Sequence, residues 1–425
     1  MTTATEPRLE ADGAAPTLAA APSRRAWPLI IAIAFLSGVG MSIVLPVLPF
    51  ITLRHISDES RLAWWVGVLE AAYALSAFLT APLLGALSDR HGRRPVLIYS
   101  VFGAAVGYLL FGFGGSLWLL ILARVVQGLA SGDLPALFGY VADITPGKDR
   151  AKRFGFLGAV SGVAMIVGPA IGGALSRISL DAPVLATAGV SALIGALAIV
   201  VLPESLAPEN RSDSLTVADL IPVTAIRNAL ARPTLRPLLL GTVLLSLPFV
   251  FFATNSTVLA WDTAGWGPAQ VSILLTVIGV CDIAIQGGLL ALLIPRIGER
   301  GVVIAGAAGQ AVGCLGIALA ASWLSLPWLL AGAFILFAAC EGGTTAALQG
   351  LLSTRAGADE QGWLAGGLGS LSSAIQVAVP LLGGWIYAAL GHGVPYWLGL
   401  AAIVTATVML ARATTAPAQA SPARG

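Results

Sequence analysis

Long apolar runs separated by short polar turns recur along the whole chain. Twelve of them fall at residues 27–50, 62–87, 95–114, 116–142, 153–176, 183–203, 236–260, 268–294, 301–321, 327–352, 361–389 and 394–413. A helix rises about 1.5 Å per residue, so each run can cross a hydrocarbon core of about 30 Å. Only 10% of the residues are charged, against about 25% in soluble globular proteins. We therefore expect an all-α membrane protein with twelve transmembrane helices.

The basic residues are distributed unevenly among the polar segments. If both termini lie in the cytoplasm, 19 of the 23 Lys and Arg residues fall on the cytoplasmic side, and only Arg54, Arg61 and Arg177 fall outside. Lys and Arg are enriched in cytoplasmic loops of membrane proteins. The distribution predicts a multi-pass protein of the plasma (inner) membrane with both termini in the cytoplasm.

An internal repeat predicts two halves. At a shift of 206 residues, Arg90, Gly92 and Arg94 coincide with Arg296, Gly298 and Arg300. At a shift of 211, Gly168-Pro169-x-x-Gly172-Gly173 coincides with Val379-Pro380-x-x-Gly383-Gly384. Two matches at nearly one offset indicate a duplicated bundle, an arrangement that encloses a central cavity in membrane transporters.

The boundaries of the halves follow from the polar segments. We expect six-helix bundles at residues 27–203 and 236–413, joined by a cytoplasmic linker at 204–235. The segments 1–26 and 414–425 are rich in Ala, Thr and Pro without periodicity, so we expect cytoplasmic tails, the first of them disordered.

The turn between the second and third spans carries a recognisable motif. Its residues are Gly85-x-x-x-Asp89-Arg90-x-Gly92-Arg93-Arg94. This motif resembles the loop 2–3 signature of the major facilitator superfamily of secondary transporters. The resemblance implies a fold of two pseudo-symmetric six-helix bundles and a gating role for these six named residues.

A second motif lies on the fifth span, where Gly162 is followed by Gly168-Pro169-x-x-Gly172-Gly173. It is similar to the helix 5 motif of the superfamily's drug/proton antiporters. Closely spaced glycines let helices approach one another, and a proline permits a bend. We therefore expect Gly168, Pro169, Gly172 and Gly173 to take part in gating.

Further segments resemble the tetracycline-resistance efflux transporters. They are Leu45-Pro46-Val47-Leu48-Pro49, Arg124-x-x-x-Gly128, Tyr140-Val-Ala-Asp143, Leu202-Pro203-Glu204-Ser205 and Ala347-Leu348-Gln349. Ser37, Ala77, Gly107 and Gln310 stand where that group has acids or a glutamine on its drug and proton path. The resemblance thus implies an exporter but makes tetracycline itself doubtful as its substrate.

Four acidic residues and one arginine lie well inside predicted spans, away from the span ends: Glu70, Arg124, Asp133, Asp282 and Glu341. Each charge at a helix centre costs about 2.5–3.5 kcal/mol on insertion scales, so such residues are usually functional. A carboxyl group that takes up a proton avoids this cost. We therefore predict that these five residues couple transport to protons.

Depth in the membrane indicates which of these groups meet. Glu70 and Arg124 each lie 8 residues from the outer start of their span, about 12 Å deep, and are predicted to form an ion pair. Asp133 lies nine residues past Arg124, out of phase on the helix, and is not expected to be its main partner. Asp282 and Glu341 each lie 14 residues in, about 21 Å, and are expected to face one region of the cavity.

Polar and aromatic side chains in the second half are candidates for substrate binding. They are Asn255, Gln286, Gln310, Glu341, Gln349, Gln376 and Trp385. For Trp385 and for the amides of Asn255, Gln286, Gln349 and Gln376, packing or anchoring at the membrane interface is favoured over substrate binding. The three cysteines lie in apolar runs without the spacing of metal ligands, so no metal and no cofactor is expected.

The sequence therefore predicts a proton-coupled exporter of small drug-like or amphipathic molecules that works by alternating access. The partners expected are this substrate, protons and the lipid bilayer, with no nucleic acid, and a monomer is expected. One alternative is a proton symporter that imports a nutrient, against which only the helix 5 motif argues. The other is a non-transporting receptor or membrane enzyme, although no catalytic triad, metal cluster or phosphate loop supports an enzyme.

Overall fold

The computed structural model of the protein describes residues 26–211, 236–355 and 361–413. Most of the predicted linker and both predicted tails lie outside these residues, except Ala26, which lies in the predicted first tail and instead begins the first helix. The first half contains α1 (Ala26–Ile43), α2 (Leu48–Leu53), α3 (Leu62–His91), α4 (Arg93–Phe113), α5 (Leu117–Leu129), α6 (Asp133–Ile144), α7 (Gly147–Leu175) and α8 (Ala182–Val201). The second half contains α9 (Arg236–Ala264), α10 (Pro268–Ala284), α11 (Leu290–Leu319), α12 (Pro327–Arg355), α13 (Gln361–Leu390) and α14 (Val394–Ala413).

The described helices make twelve membrane crossings, as predicted. Eleven helical segments of the described chain are apolar and long enough to cross a membrane, and one of them, Pro268–Leu324, has 57 residues. At about 1.5 Å per residue this stretch is far longer than a bilayer is thick. Its backbone leaves helical geometry at Gly298, with φ 72° and ψ 164°. It therefore accounts for the eighth and ninth crossings.

Two crossings are interrupted where the sequence predicts continuous helices. The first consists of α1 and α2 with turns at 44–47 between them, a segment that contains Pro46. The fourth consists of α5 and α6 with an irregular stretch at 130–132. The eighth crossing remains helical but contains a π-helical turn at Ile285–Leu289.

The two halves repeat in structure as well as in sequence. Gly92 has φ 108° and ψ 161°, close to the conformation of Gly298. Only glycine adopts this region readily because it lacks a Cβ atom. The Arg94 side chain donates a hydrogen bond to the Ile199 carbonyl (2.5 Å), and the Arg300 side chain donates one to the Ala411 carbonyl (3.2 Å).

The halves touch each other where α3 packs on α13 and where α7 packs on α10. A Cβ atom added to Gly67 would lie 2.2 Å from the Pro380 carbonyl oxygen, and one added to Gly384 would lie 2.5 Å from the Ala63 carbonyl oxygen. Side chains are thus excluded and the backbones are in contact. We call this end of the molecule, to which Ala63 and Gly384 belong, the sealed end.

The opposite end carries the turn between α3 and α4, residues 88–94, and we call it the basic end. The helices along the boundary between the halves are less closely packed here. A Cβ atom added at several of their glycines would meet no atom within 4 Å; these are Gly85, Gly158, Gly162, Gly287 and Gly366. At these five positions, therefore, no backbone of the other half lies as close as it does at Gly67 and Gly384.

The glycine motif of α7 serves two contacts. A Cβ atom at Gly168 would lie 2.0 Å from Ser42 Oγ, and one at Gly172 would lie 2.9 Å from the Ile43 carbonyl oxygen, so both glycines pack α7 on α1 of the same half. One at Gly173 would lie 2.3 Å from Ser272 Cβ on α10. Of these three glycines, only Gly173 is shown in contact with the other half.

Candidate functional site

A cavity of about 460 Å³ lies between the two halves. Its charged lining residues are Glu70, Arg124 and Asp133, all from the first half, and α9 and α13 of the second half contribute uncharged side chains. The hydroxyl-bearing and amide lining residues are Ser37, Tyr73, Ser100, Tyr108, Gln127, Ser131, Ser191, Ser246, Thr254, Ser372 and Gln376. This volume and mixture of groups suit a small organic ligand.

Glu70 and Arg124 form the ion pair that their depth predicts. Arg124 Nη2 lies 2.7 Å from Glu70 Oε2. The guanidinium also donates to Gln127 Oε1 at 3.0 Å and to the Leu69 carbonyl at 3.4 Å. Arg124 is 7% exposed, so its charge is held by these partners rather than by water. Both members of the pair line the cavity.

Asp133 lies apart from this pair, as its helical phase predicts. It is the first residue of α6, directly after the break in the fourth crossing. The Ser37 hydroxyl on α1 donates a hydrogen bond to Asp133 Oδ2. None of the ion pairs described among residues 26–211, 236–355 and 361–413 includes Asp133.

Asp282 and Glu341 lie near each other, but neither is among the residues that line the cavity. Asp282 Oδ1 accepts a hydrogen bond from Gln286 Nε2 at 2.8 Å, and Glu341 Oε1 accepts one from Thr345 Oγ1 at 2.8 Å. A Cβ atom at Gly342 would lie 1.9 Å from Asp282 Oδ1, so the Asp282 carboxyl packs on α12. The expectation that the two acids share a region is met, but that region adjoins α10 and α12 instead of the cavity.

The predicted binding residues are dispersed. Gln376 lines the cavity, whereas Asn255, Gln286, Gln310, Glu341, Gln349 and Trp385 do not. Asn255 and Gln310 are both fully buried, and none of their side-chain amide atoms has a hydrogen-bond partner in the described structure. Trp385 is 53% exposed, which fits the alternative of an anchor at the membrane interface.

Sequence reasoning missed an aromatic ring that lies against the arginine of the ion pair. The guanidinium carbon of Arg124 lies 4.7 Å from the centre of the Tyr73 ring, a distance at which a cation is attracted to the ring face. Tyr73 follows Glu70 by three residues, so the two side chains share a face of α3. That spacing is the sequence signal that could have found it.

Charged groups of the motif turn form a network at the basic end. Arg93 Nη1 lies 2.5 Å from Asp89 Oδ1, and Arg93 Nε lies 3.2 Å from Asp143 Oδ2 on α6. Ser205 Oγ donates to the same Asp143 oxygen at 3.0 Å. Arg93 therefore links α4 to α3 and α6. In this conformation these three contacts lie within the first half.

Glu204 caps the start of α4. Its Oε1 accepts a hydrogen bond from the backbone N–H of Arg93 at 2.8 Å, and its Oε2 accepts one from the N–H of Arg94 at 3.2 Å. The first amide groups of a helix lack partners within the helix and favour a negative charge. A Cβ atom at Gly92 would lie 2.2 Å from Glu204 Oε2, so this cap also requires glycine at that position.

Comparison with known proteins identifies the fold. A family model described as Major Facilitator Superfamily matches residues 30–375. The chain belongs to the major facilitator superfamily.

This facilitator is similar to bacterial efflux proteins over most of its length. It is 36% identical to the class C tetracycline resistance protein of Escherichia coli, covering 91% of this chain and 95% of that protein. It is 32% identical to the class H protein of Pasteurella multocida, covering 88% and 90%. The crystal structure of the human organic anion transporter MFSD10 (TETRAN) superposes with a TM-score of 0.65 at 22% identity, covering 92% of this chain and 100% of that one.

These matches confirm the fold and the class of protein predicted from the sequence. The facilitator is a multi-pass membrane transporter and not an enzyme. Its similarity to resistance proteins favours export over the alternatives of nutrient import or a non-transporting receptor.

Proposed function

We propose that this facilitator exports small organic, drug-like molecules in exchange for protons by alternating access. The observation that carries the proposal is a cavity between the two halves that contains the Glu70–Arg124 pair, since a proton on Glu70 would remove the charge that holds Arg124. The similarity to resistance proteins supports the exporting direction.

The proposed orientation follows from the distribution of basic residues. Lys and Arg concentrate in loops at the basic end, which supports placing that end and both termini in the cytoplasm. The conformation described is then open toward the cytoplasm and closed at the sealed end, where a substrate would leave. The bundles at 27–203 and 236–413 would rock about the cavity, and the transporter would work as a monomer in the plasma (inner) membrane.

Proton uptake is proposed to bias this rocking motion. A ligand shifts a conformational equilibrium by the difference between its affinities for the two states. Protonation of Glu70 would weaken its bond to Arg124 and so destabilise the conformation in which the pair forms. Asp133, Asp282 and Glu341 are proposed as further proton-coupling acids, the last two in the separate group between α10 and α12.

The motif turn is proposed to act as the cytoplasmic gate. Gly85, Asp89, Arg90, Gly92, Arg93 and Arg94 lie at the basic end, around the turn between α3 and α4. When they close, the exposed Asp89 and Arg90 would be available to the second half. Gly168, Pro169, Gly172 and Gly173 are proposed to let α7 adjust at the same step.

The test is transport by purified protein in proteoliposomes with the basic end facing outward. Uptake of fluorescent or radiolabelled compounds from a resistance panel, tetracyclines included, is measured with the interior held acidic. We expect at least one compound to accumulate, and Asp89→Asn to reduce its initial rate. Accumulation only under the opposite gradient would indicate a symporter, and the absence of counterflow with every compound would refute a transport function.

A further inference from the structure

The sealed end carries a cluster of titratable side chains that lies apart from the cavity. The Tyr387 hydroxyl on α13 donates a hydrogen bond to Asp262 Oδ2 on α9 at 2.7 Å. His392, in the turn between α13 and α14, places its Nε2 atom 3.9 Å from the same oxygen. The His392 ring stacks on the Tyr387 ring, with the ring centroids 4.6 Å apart and an angle of 6° between the planes. The imidazole is therefore held beside the carboxylate.

The imidazole of this cluster can exchange protons with the surrounding water. The His392 side chain is 47% exposed and that of Asp262 is 23% exposed, whereas Tyr387 is buried. Histidine changes its charge between about pH 5 and pH 8. The phenols of Tyr387 and Tyr396 also lie close to Asp262, but phenols are neutral in this range. A proton on His392 thus offsets the negative charge of Asp262, and a neutral His392 leaves it unbalanced.

The cluster adjoins the junction between the two halves. Gly384 on α13 packs on α3 so closely that an added Cβ atom would lie 2.5 Å from the Ala63 carbonyl oxygen. Tyr387 follows Gly384 by three residues and therefore lies on the same face of α13, nearer its end. Trp261, the neighbour of Asp262, packs edge to face on Phe50 of the first half, with ring centroids 5.6 Å apart. The charges of the cluster are therefore close to the surface of the first half.

The first half presents a carboxylate to this cluster. Glu59 begins the short helical turn that directly precedes α3. Its neighbours Asp58 and Arg61 pair with each other at 3.1 Å, whereas Glu59 is exposed and belongs to no ion pair in the described part of the chain. The charge of Glu59 acts on Asp262 across the junction. Two carboxylates, one from each half, thus repel each other while the sealed end is closed.

We propose that His392 senses the external pH and stabilises the closed form of the sealed end in acid. A proton on the imidazole offsets the charge of Asp262 and so relieves the repulsion from Glu59. When the halves part, Glu59 moves away and this benefit is lost. The proton therefore binds more tightly to the closed form, and a fall in pH shifts the equilibrium toward closure. The inference rests on the proposed function only in taking the sealed end as the outer end that opens during transport.

The experiment measures the distance across the sealed end by double electron–electron resonance. Spin labels are attached to Ser57→Cys in the first half and Ala389→Cys in the second, both at exposed positions. The full-length protein carries alanine in place of its three native cysteines and is held in lipid nanodiscs. We expect the ratio of the short-distance to the long-distance population to be about two- to fivefold higher at pH 5.5 than at pH 7.5, the range for a partly exposed charge pair.

Three variants assign this response to the cluster. His392→Gln should keep the ratio near its pH 7.5 value under both conditions, because Asp262 stays unbalanced. Glu59→Gln should raise the ratio at pH 7.5 and remove most of the response, because no repulsion is left to relieve. His55→Gln is the matched control, since His55 lies in the outer segment between α2 and α3 and should leave the wild-type response unchanged.

Two outcomes would overturn the inference. One is a wild-type ratio that is the same at both pH values. The other is a wild-type response in His392→Gln or Glu59→Gln, which would place the sensor elsewhere, for example at Glu70. A size-exclusion profile reports whether each variant is folded, and Glu59→Gln at its exposed position tests the repulsion even if His392→Gln does not fold. Neither outcome bears on the proposed function, which fails separately if wild-type proteoliposomes show no gradient-driven transport of any compound.

Discussion

Replacing Glu70 by glutamine tests whether the buried ion pair holds this conformation together. The substitution keeps the size of the side chain but leaves the Arg124 guanidinium, 7% exposed, without a counter-charge. Removing one partner of a buried pair costs about 3–5 kcal/mol. Arg124 keeps its bonds to Gln127 and the Leu69 carbonyl, and the new amide can still accept a hydrogen bond. We therefore expect a loss of about 2–3 kcal/mol in the free energy of unfolding.

The measurement is reversible unfolding in mixed SDS micelles, followed by tryptophan fluorescence. A double-mutant cycle with Arg124→Gln measures the interaction free energy between the two side chains. In the double variant both side chains are neutral amides, so no buried charge is left without a partner. The double variant should be more stable than Glu70→Gln alone. Glu59→Gln is the matched control, since Glu59 is exposed and in none of the described ion pairs, and should change stability by less than about 0.5 kcal/mol.

Two results would refute this reasoning. If Glu70→Gln unfolds with unchanged free energy, the pair contributes nothing net to the conformation described. If the effects of the two substitutions simply add, the two side chains act independently despite their 2.7 Å separation. In either case protonation of Glu70 could not bias the transport cycle by releasing Arg124.

Three further substitutions test other parts of the structure. Gly92→Ala forces a φ of 108° on a residue with a side chain and places its Cβ atom 2.2 Å from Glu204; we expect destabilisation of about 2–3 kcal/mol in the same unfolding assay. Gly67→Ala places a Cβ atom 2.2 Å from the backbone of α13 and should increase the labelling of a reporter cysteine introduced at the sealed end. Gly189→Ala, with no atom within 4 Å of its Cβ position, should leave that labelling unchanged. Glu341→Gln should abolish gradient-driven uptake in proteoliposomes, and unaltered uptake would exclude a coupling role for that acid.

The sequence predicted features that follow from the number of residues along a helix, namely how many helices cross the membrane and how deep a given residue lies. The number of crossings follows from the lengths of the apolar runs. The Glu70–Arg124 pair follows from equal depth, because residue number converts to distance at a fixed rise. The repeat at Gly92 and Gly298 was also predicted from the sequence. Only glycine adopts the backbone conformation of these two positions readily, so both halves carry a glycine there.

Two kinds of feature could not be predicted from the sequence. One is the direction in which a side chain points around its helix axis, and the other is contact between segments that are distant in the chain. Asp282 and Glu341 share a level in the membrane, but residue counts do not indicate the direction of their side chains. The break at 130–132 has a local signal in Ser131, Gly132 and Pro135, but no residue count indicates that it places Asp133 beside Ser37. Glu204 caps a helix that begins 111 residues earlier in the chain, a contact that no local pattern specifies.

The sealed end has a consequence for how the transporter moves. Main-chain atoms of the two halves meet there directly, at Gly67 with Pro380 and at Gly384 with Ala63. Dispersion attraction between such atoms weakens by a quarter to a half once a gap of about 0.5–1 Å appears. A slightly parted junction therefore loses much of its attraction before water can enter. The sealed end should therefore rarely populate partly open conformations and should switch abruptly between closed and open.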